Sequence, residues 1–216
     1  MTAAMIETKM FDGPDAHARL RDLGLDVPTL REVVLQGEQA RAEATEHDPI
    51  NAAAWDAYRY RVRAFRDRTV PSGWTVDHDG GLEKTWSPDR KHVVITRAGD
   101  AGVGVRSACP QPKRKPGTEI RGIVEGASLL DPNWMNVTPK GAANEDFATW
   151  MLLVNREGDV VRSELSSPIG LTDDDTVLGW HERVLLPEID LAAAADASDD
   201  STSAADEIDV PVVRKR

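Results

Sequence analysis

Apolar positions recur at two different periods along this chain. Up to about residue 70 they fall three or four residues apart, and from residue 74 they alternate with polar ones. The first spacing lines side chains along one side of a helix, the second along one face of a strand. Pro14 to Leu23 reads as a short helix with Leu20 and Leu23 on one face, and Gly24 stands where a helix C-terminus favours a left-handed residue. A second helix begins near Asp26-Val27-Pro28. Thr29 with Glu32 fits a capping box there, and Leu30, Val33, Val34, Ala40 and Ala44 supply the apolar side. Gly37 interrupts it at a cost of about 1 kcal/mol against alanine, which points to close packing. The third helix takes Asp48 as N-cap and Pro49 as its first position. Trp55, Tyr58, Val62, Phe65 and Thr69 form its apolar stripe and Pro71-Ser72-Gly73 ends it, while Arg59, Arg61, Arg63, Arg66 and Arg68 occupy the remaining faces.

Alternation then predicts strands. Trp74, Val76 and His78 share one parity, Asp79-Gly80-Gly81 is a hairpin turn, and Leu82, Lys84 and Trp86 return. Ser87-Pro88-Asp89-Arg90 is a second turn, followed by a strand from His92 to Arg97. Residues 98–147 are rich in Gly and Pro, with a short helix after Thr118 bearing Ile120, Ile123, Val124 and Ala127. Strands resume over 149–154, 160–165 and 177–186, and the last places Leu178, Trp180, Val184 and Leu186 on one parity. Helices followed by a meander predict an α+β domain over residues 10–188, its N-terminal helices packed on a mainly antiparallel sheet.

Composition changes this picture at one end. Residues 190–209 hold no aromatic residue and almost no bulky apolar one, so residues 189–216 are expected to form a disordered acidic tail. The net charge of -11 divides unevenly, with 23 basic and 29 acidic residues up to residue 187 and three basic and eight acidic residues from Glu188 onward. An acidic body repels polyphosphate at long range, which disfavours nucleic acid unless a basic patch is concentrated somewhere. No apolar stretch approaches the roughly 18 residues of a membrane span, and the N-terminus carries no secretory pattern. A cytoplasmic protein with no membrane contact is the expectation. Cys109 is the single cysteine, which excludes an intramolecular disulfide and argues against a thiolate zinc site.

Candidate chemistry is sparse. There is no P-loop, no nucleophile elbow and no HExxH, and Gly99 to Gly104 lacks the dinucleotide spacing, so no cofactor, metal ligand or catalytic residue is assigned. Cys109 has basic neighbours but no histidine near it in sequence. Asp89-Arg90-Lys91 with Asp77 echoes the acid-x-Lys element of metal-dependent nucleases, although the triplet falls on a turn. Six tryptophans outnumber three phenylalanines and two tyrosines. Trp55, Trp150 and Trp180 lie in apolar patterns and belong to the core, whereas Trp74, Trp86 and Trp134 sit beside turns and are expected to be partly exposed. Arg59, Arg63 and Arg66 share a helix face, and Lys113, Arg114 and Lys115 stand between two prolines. These six cations with Trp86 and Trp134 are the candidate partner-binding residues. The alternative for the arginines is a solvated face paired with surface acids.

Two stretches together resemble an uncharacterised bacterial family associated with phages, plasmids and integrating elements. One is Trp55-x-x-Tyr-Arg-Tyr-Arg-Val-Arg-Ala-Phe-Arg-Asp-x-x-Val-Pro-x-Gly-Trp74, and the other runs from Thr149 to Pro168 and on through Gly179 to Pro187. The resemblance implies a mobile-element setting and no catalytic residue. The function expected is a non-enzymatic binding or accessory protein acting through macromolecular contacts, with a protein partner ahead of nucleic acid. The alternatives are an acidic nucleic-acid-mimicking inhibitor, carried by the tail, and a metal-dependent nuclease-like hydrolase, carried by Asp77, Asp89 and Lys91.

Overall fold

The computed structural model describes residues 7–125 and 147–194. Strand β1 (Lys9–Phe11) leads into α1 (Gly13–Asp22), α2 (Val27–Ala42) and α3 (Ala52–Thr69). Strands β2 (Thr75–Asp77), β3 (Lys84–Trp86) and β4 (His92–Ala98) follow, then α4 (Thr118–Glu125), β5 (Ala148–Glu157), β6 (Val160–Leu171), β7 (Val177–Leu185) and β8 (Ile189–Asp190). Leu23 ends α1, and Gly24 turns the chain with φ +71°, the conformation the sequence reading called for. The cap of α2 differs from the capping box. Asp26 is the N-cap, and its carboxylate accepts the Thr29 N–H at 2.7 Å. Helix α3 likewise starts at Ala52 behind Asn51, because Asp48 is engaged by the N–H and hydroxyl of Thr45 in the preceding turn.

Among the described residues the strands form one sheet in the order β1-β7-β6-β5-β4-β3-β2, with β8 beside β6. The α+β class stands, but the sheet is mixed. β4 and β5 run parallel, as do β1 and β7, and the other pairs are antiparallel. The meander breaks where a parallel neighbour requires a crossover, and residues 99–147 with α4 supply it.

Both faces of the sheet are covered. Leu20, Leu30, Val34 and Phe65 from the first three helices pack on Val94, Trp150, Leu152, Leu165 and Val184. Opposite them, Val103 and the Ile120 and Val124 side chains of α4 cover Ile95, Met151, Leu153, Val177 and Trp180. Double burial explains why β5 reads as a continuous apolar run.

One bulge alters the expected faces. Pro168 pairs with Trp180 but Ser167 pairs with Glu182, so His181 is an extra residue in β7. Such a slip reverses every later side chain. Trp180 therefore faces the α4 side and Val184 the α1–α3 side, although the sequence gives them one parity. Leu178 is exposed rather than buried with them.

The tryptophans are also redistributed. Trp150 and Trp180 are core residues, but Trp55 is 61% exposed, whereas Trp74 and Trp86, expected to be partly exposed, are only 3% and 8% exposed. Gly37 of α2 faces Ala57 and Arg61 of α3, and Trp55 lies in the first turn of α3, beside the connection from α2. Trp86 is enclosed by Phe147, with ring centroids 4.9 Å apart, by the Arg90 guanidinium 4.6 Å from its ring, and by Asp77, which accepts its indole N–H at 3.3 Å.

The domain extends past the expected boundary at residue 188. Ile189 is 1% exposed in a strand bonded to β6, and residues 191–194 form a helical turn beyond it. The rest of the acidic segment, residues 195–216, and Ala127 and Trp134 lie outside the described residues.

Candidate functional site

Glycine at position 37 builds the most unusual charged site of this fold. Without a side chain there, α3 crosses α2 closely enough for the stem of Arg61 to run over the Gly37 backbone. The sequence reading placed Arg61 with the solvated arginines, but its side chain is 2% exposed and lies against the equally buried Glu38. The Arg61 guanidinium donates to Glu38 Oε1 at 3.0 Å. Arg41, one turn further along α2, donates to Oε2 at 3.0 Å, and Arg156 from the end of β5 approaches the same oxygen at 3.5 Å. Burial lowers the pKa of Arg61 to about 10, opposed by the charge of Glu38 and reinforced by that of Arg41. The guanidinium remains cationic at neutral pH.

These groups line a cavity of about 380 Å³, together with Ala98, Lys113, Val154 and Gly158. Lys113 arrives from the loop after β4, where its N–H donates to the Ala98 carbonyl at 2.8 Å. Four cations thus surround one lining carboxylate. Asp159 stands 3.9 Å from Arg156 but is 72% exposed, so solvent screens it. Arg61 Nε is buried and has no acceptor among the described residues.

A second cavity of about 340 Å³, near β1 and the end of β7, has no such charge excess. Its Arg106 pairs with Asp12, and Arg162 pairs with Glu188 at 2.8 Å. A third charged cluster is fully internal. Arg183 donates to Glu164 at 2.6 Å and to the Ala108 and Val105 carbonyls, while Glu164 also accepts the Gly104 N–H and the Ser166 hydroxyl. It fastens the 99–110 loop to the sheet and leaves its charges paired.

The candidate arginines on α3 do not act as one patch. Arg59 pairs with Asp56 at 3.0 Å, and Arg63 pairs with Asp67 at 3.5 Å, both on the surface. Arg66 is largely buried, held by Glu83 at 2.7 Å and by the Lys84 carbonyl. Lys113, Arg114 and Lys115 are exposed, but Lys113 lines the cavity with Arg61 rather than meeting Arg59, Arg63 or Arg66. A series of neighbouring groups extends from there toward Trp55. Arg97 donates to the Arg114 carbonyl at 3.1 Å, its charge acts on Tyr58, and the Tyr58 ring lies 5.7 Å from Trp55. Burial, followed by the charge of Glu83, raises the Tyr58 phenol above its ordinary pKa.

The carboxylates of the nuclease alternative serve their own turns. Asp77 is held by Lys84 at 3.0 Å and by the Asp79 N–H, and Asp89 by the Ser87 hydroxyl at 2.6 Å and the Lys91 N–H. His78 pairs with Glu83 at 2.6 Å, and Cys109 is exposed. No group of three His, Cys, Asp or Glu side chains is placed to hold a metal ion among the described residues. No helix among them is long and apolar enough to cross a membrane.

Sequence reading missed Glu38, Arg41, Arg61 and Arg156. The signal that could have found them is a glycine beside a carboxylate on an otherwise apolar helix face, since only a close neighbour explains the glycine. No family model, no curated protein and no solved structure matches the chain.

Proposed function

We propose that this chain is a non-enzymatic binding protein whose contact surface runs from Trp55 through Tyr58, Arg97 and Arg114 to the cavity at Lys113. The observation that carries the reading is the exposure of Trp55, whose ring neighbour Tyr58 lies within the field of Arg97. A tryptophan left 61% exposed, with Ile50 98% exposed nearby in sequence, is an apolar surface without a cover among the described residues. Aromatic and arginine side chains are the usual anchors of protein contacts.

The occupant is a protein segment with acidic side chains. Charge complementarity to Arg97, Arg114 and Lys113 supports it, and the net charge of -11 disfavours the longer polyphosphate of nucleic acid. The setting implied by the sequence resemblance, a bacterial mobile element, supplies the source of extract. Affinity capture from such a host is made with the native chain and with Trp55→Ala and Arg114→Glu variants. A protein retained by the native chain and lost from both variants supports the reading. Equal retention by all three, or binding of oligonucleotides that weakens steeply with salt, overturns it.

A further inference from the structure

We infer that the cavity between α2, α3 and the β5–β6 hairpin is an oxyanion-binding site, built to take a phosphate or carboxylate group between Arg41, Arg61, Lys113 and Arg156. The inference rests on the binding reading above and names the chemical group that the surface recognises. Its test needs no partner, so the two can fail separately.

The argument begins with charge balance. Glu38 can offset one of the four lining cations, and the nearby Asp159 is too exposed to offset another fully. Buried positive charge is costly unless it is paired, and the other charged clusters of this fold are paired. Here the buried Arg61 Nε has no acceptor among the described residues, and Lys113, exposed at the mouth, forms no ion pair among them. Guanidinium groups present forked donors that match the oxygens of phosphate and carboxylate. Glu38 consumes some of these donors and fixes the planes of Arg41 and Arg61, so the remaining donors are held before a ligand arrives.

The lining also restricts the ligand. Ala98 and Val154 are its only apolar side chains among the described residues, too few to hold an aromatic base or an acyl chain. A volume of about 380 Å³ accommodates a phosphate or pyrophosphate group with a small substituent. One source of such a group is an external phosphorylated ligand. The other is the chain itself. Leu191 donates its N–H to the Asp159 carbonyl at 2.8 Å, next to the lining residue Gly158, so the described chain leaves the sheet beside this cavity. Asp196, Asp199 and Asp200 follow in sequence.

The test is calorimetric titration of the full chain with inorganic phosphate and pyrophosphate in a chloride buffer. Saturable binding at one site is expected, weakened about tenfold by Lys113→Gln and again by Arg156→Gln, each removing one charge-assisted contact. A full-length variant with Asp196→Asn, Asp199→Asn and Asp200→Asn separates the sources. Unchanged pyrophosphate affinity in that variant assigns the site to an external ligand, and an increase of about tenfold or more assigns it to the chain's own carboxylates, since a tethered competitor is then lost. Absence of saturable binding in both the native chain and this variant, or binding indifferent to Lys113→Gln and Arg156→Gln, overturns the site.

Discussion

Gly37 of α2 and Arg61 of α3 occupy the same crossing point. A Cβ built at position 37 would lie 2.3 Å from Arg61 Cγ and 2.8 Å from the Ala57 carbonyl oxygen. The absence of one methyl group thus admits the arginine that organises the charged cavity. Gly37→Ala would gain about 1 kcal/mol of helix propensity in isolation. Overpacking of this kind costs about 1–3 kcal/mol, and here the backbone carbonyl cannot move aside as a flexible side chain could. Net destabilisation is expected, read as a lower urea midpoint with an unchanged slope, together with weaker pyrophosphate binding.

The Glu38–Arg61 pair should behave as a unit. Glu38→Leu leaves Arg61 buried without its carboxylate and is expected to cost about 3–5 kcal/mol. The double variant Glu38→Leu, Arg61→Met removes both charges at similar volume and should recover most of that loss. A double-mutant cycle on chemical unfolding measures the coupling, and additive single effects would contradict it.

Arg183 and Glu164 hold the 99–110 loop rather than a ligand. In Glu164→Ala the Gly104 N–H and the Arg183 guanidinium lose their shared acceptor. A loss of about 3–5 kcal/mol is expected for an unpaired buried arginine. Trypsin should then cleave after the exposed Arg106 faster than in the native chain, and an unchanged cleavage rate would argue that other contacts fix the loop.

The tryptophans divide by burial. Trp180→Ala is expected to cost about 3–5 kcal/mol, as for other large core deletions. Trp55→Ala should lie within about 0.5 kcal/mol of the native chain, because the side chain is 61% exposed. Thermal or urea unfolding of the two variants, measured by circular dichroism, checks this difference.

His92 gives the fold a pH dependence of defined sign. Burial lowers its pKa, Arg19 and Lys91 add to the shift, and Asp89 and Glu182 oppose it. Its Nδ1 is buried with no hydrogen-bond partner among the described residues. The unfolded chain therefore takes up a proton on this ring more readily than the folded one. Stability from this group is complete above the ordinary histidine pKa of about 6.5 and is lost as pH falls below it. His92→Gln should flatten the fall in urea midpoint between pH 7.5 and 5.5, and an unaltered slope would assign that fall to other groups.

Much of the fold was legible because local signals sufficed for it. The Gly24 turn, the apolar face of α2 and the Ser87–Arg90 turn each depend on residues a few positions apart. The sheet was legible as strands and turns but not as a pairing order, because parallel β4 and β5 are joined by a long crossover that no hairpin signal marks. The candidate site was scarcely legible. Of the six cations singled out, Lys113 lines the cavity, Arg114 accepts a bond from Arg97 through its carbonyl and Lys115 is exposed, whereas Arg59, Arg63 and Arg66 are engaged by carboxylates of their own surroundings.

By itself the sequence determined the main helices and the longer strands, though not the short strands β1 and β8 or the start of α3, and that they make an α+β unit, since periodicity acts within a few residues of chain. Tertiary structure decided which faces are covered and which charges go inside. A helical stripe cannot show that its first turn, at Trp55, is left exposed. A strand parity cannot show that a bulge at His181 will reverse it. Nor does an arginine reveal its burial until a distant glycine gives it room and a carboxylate beside that glycine compensates its charge.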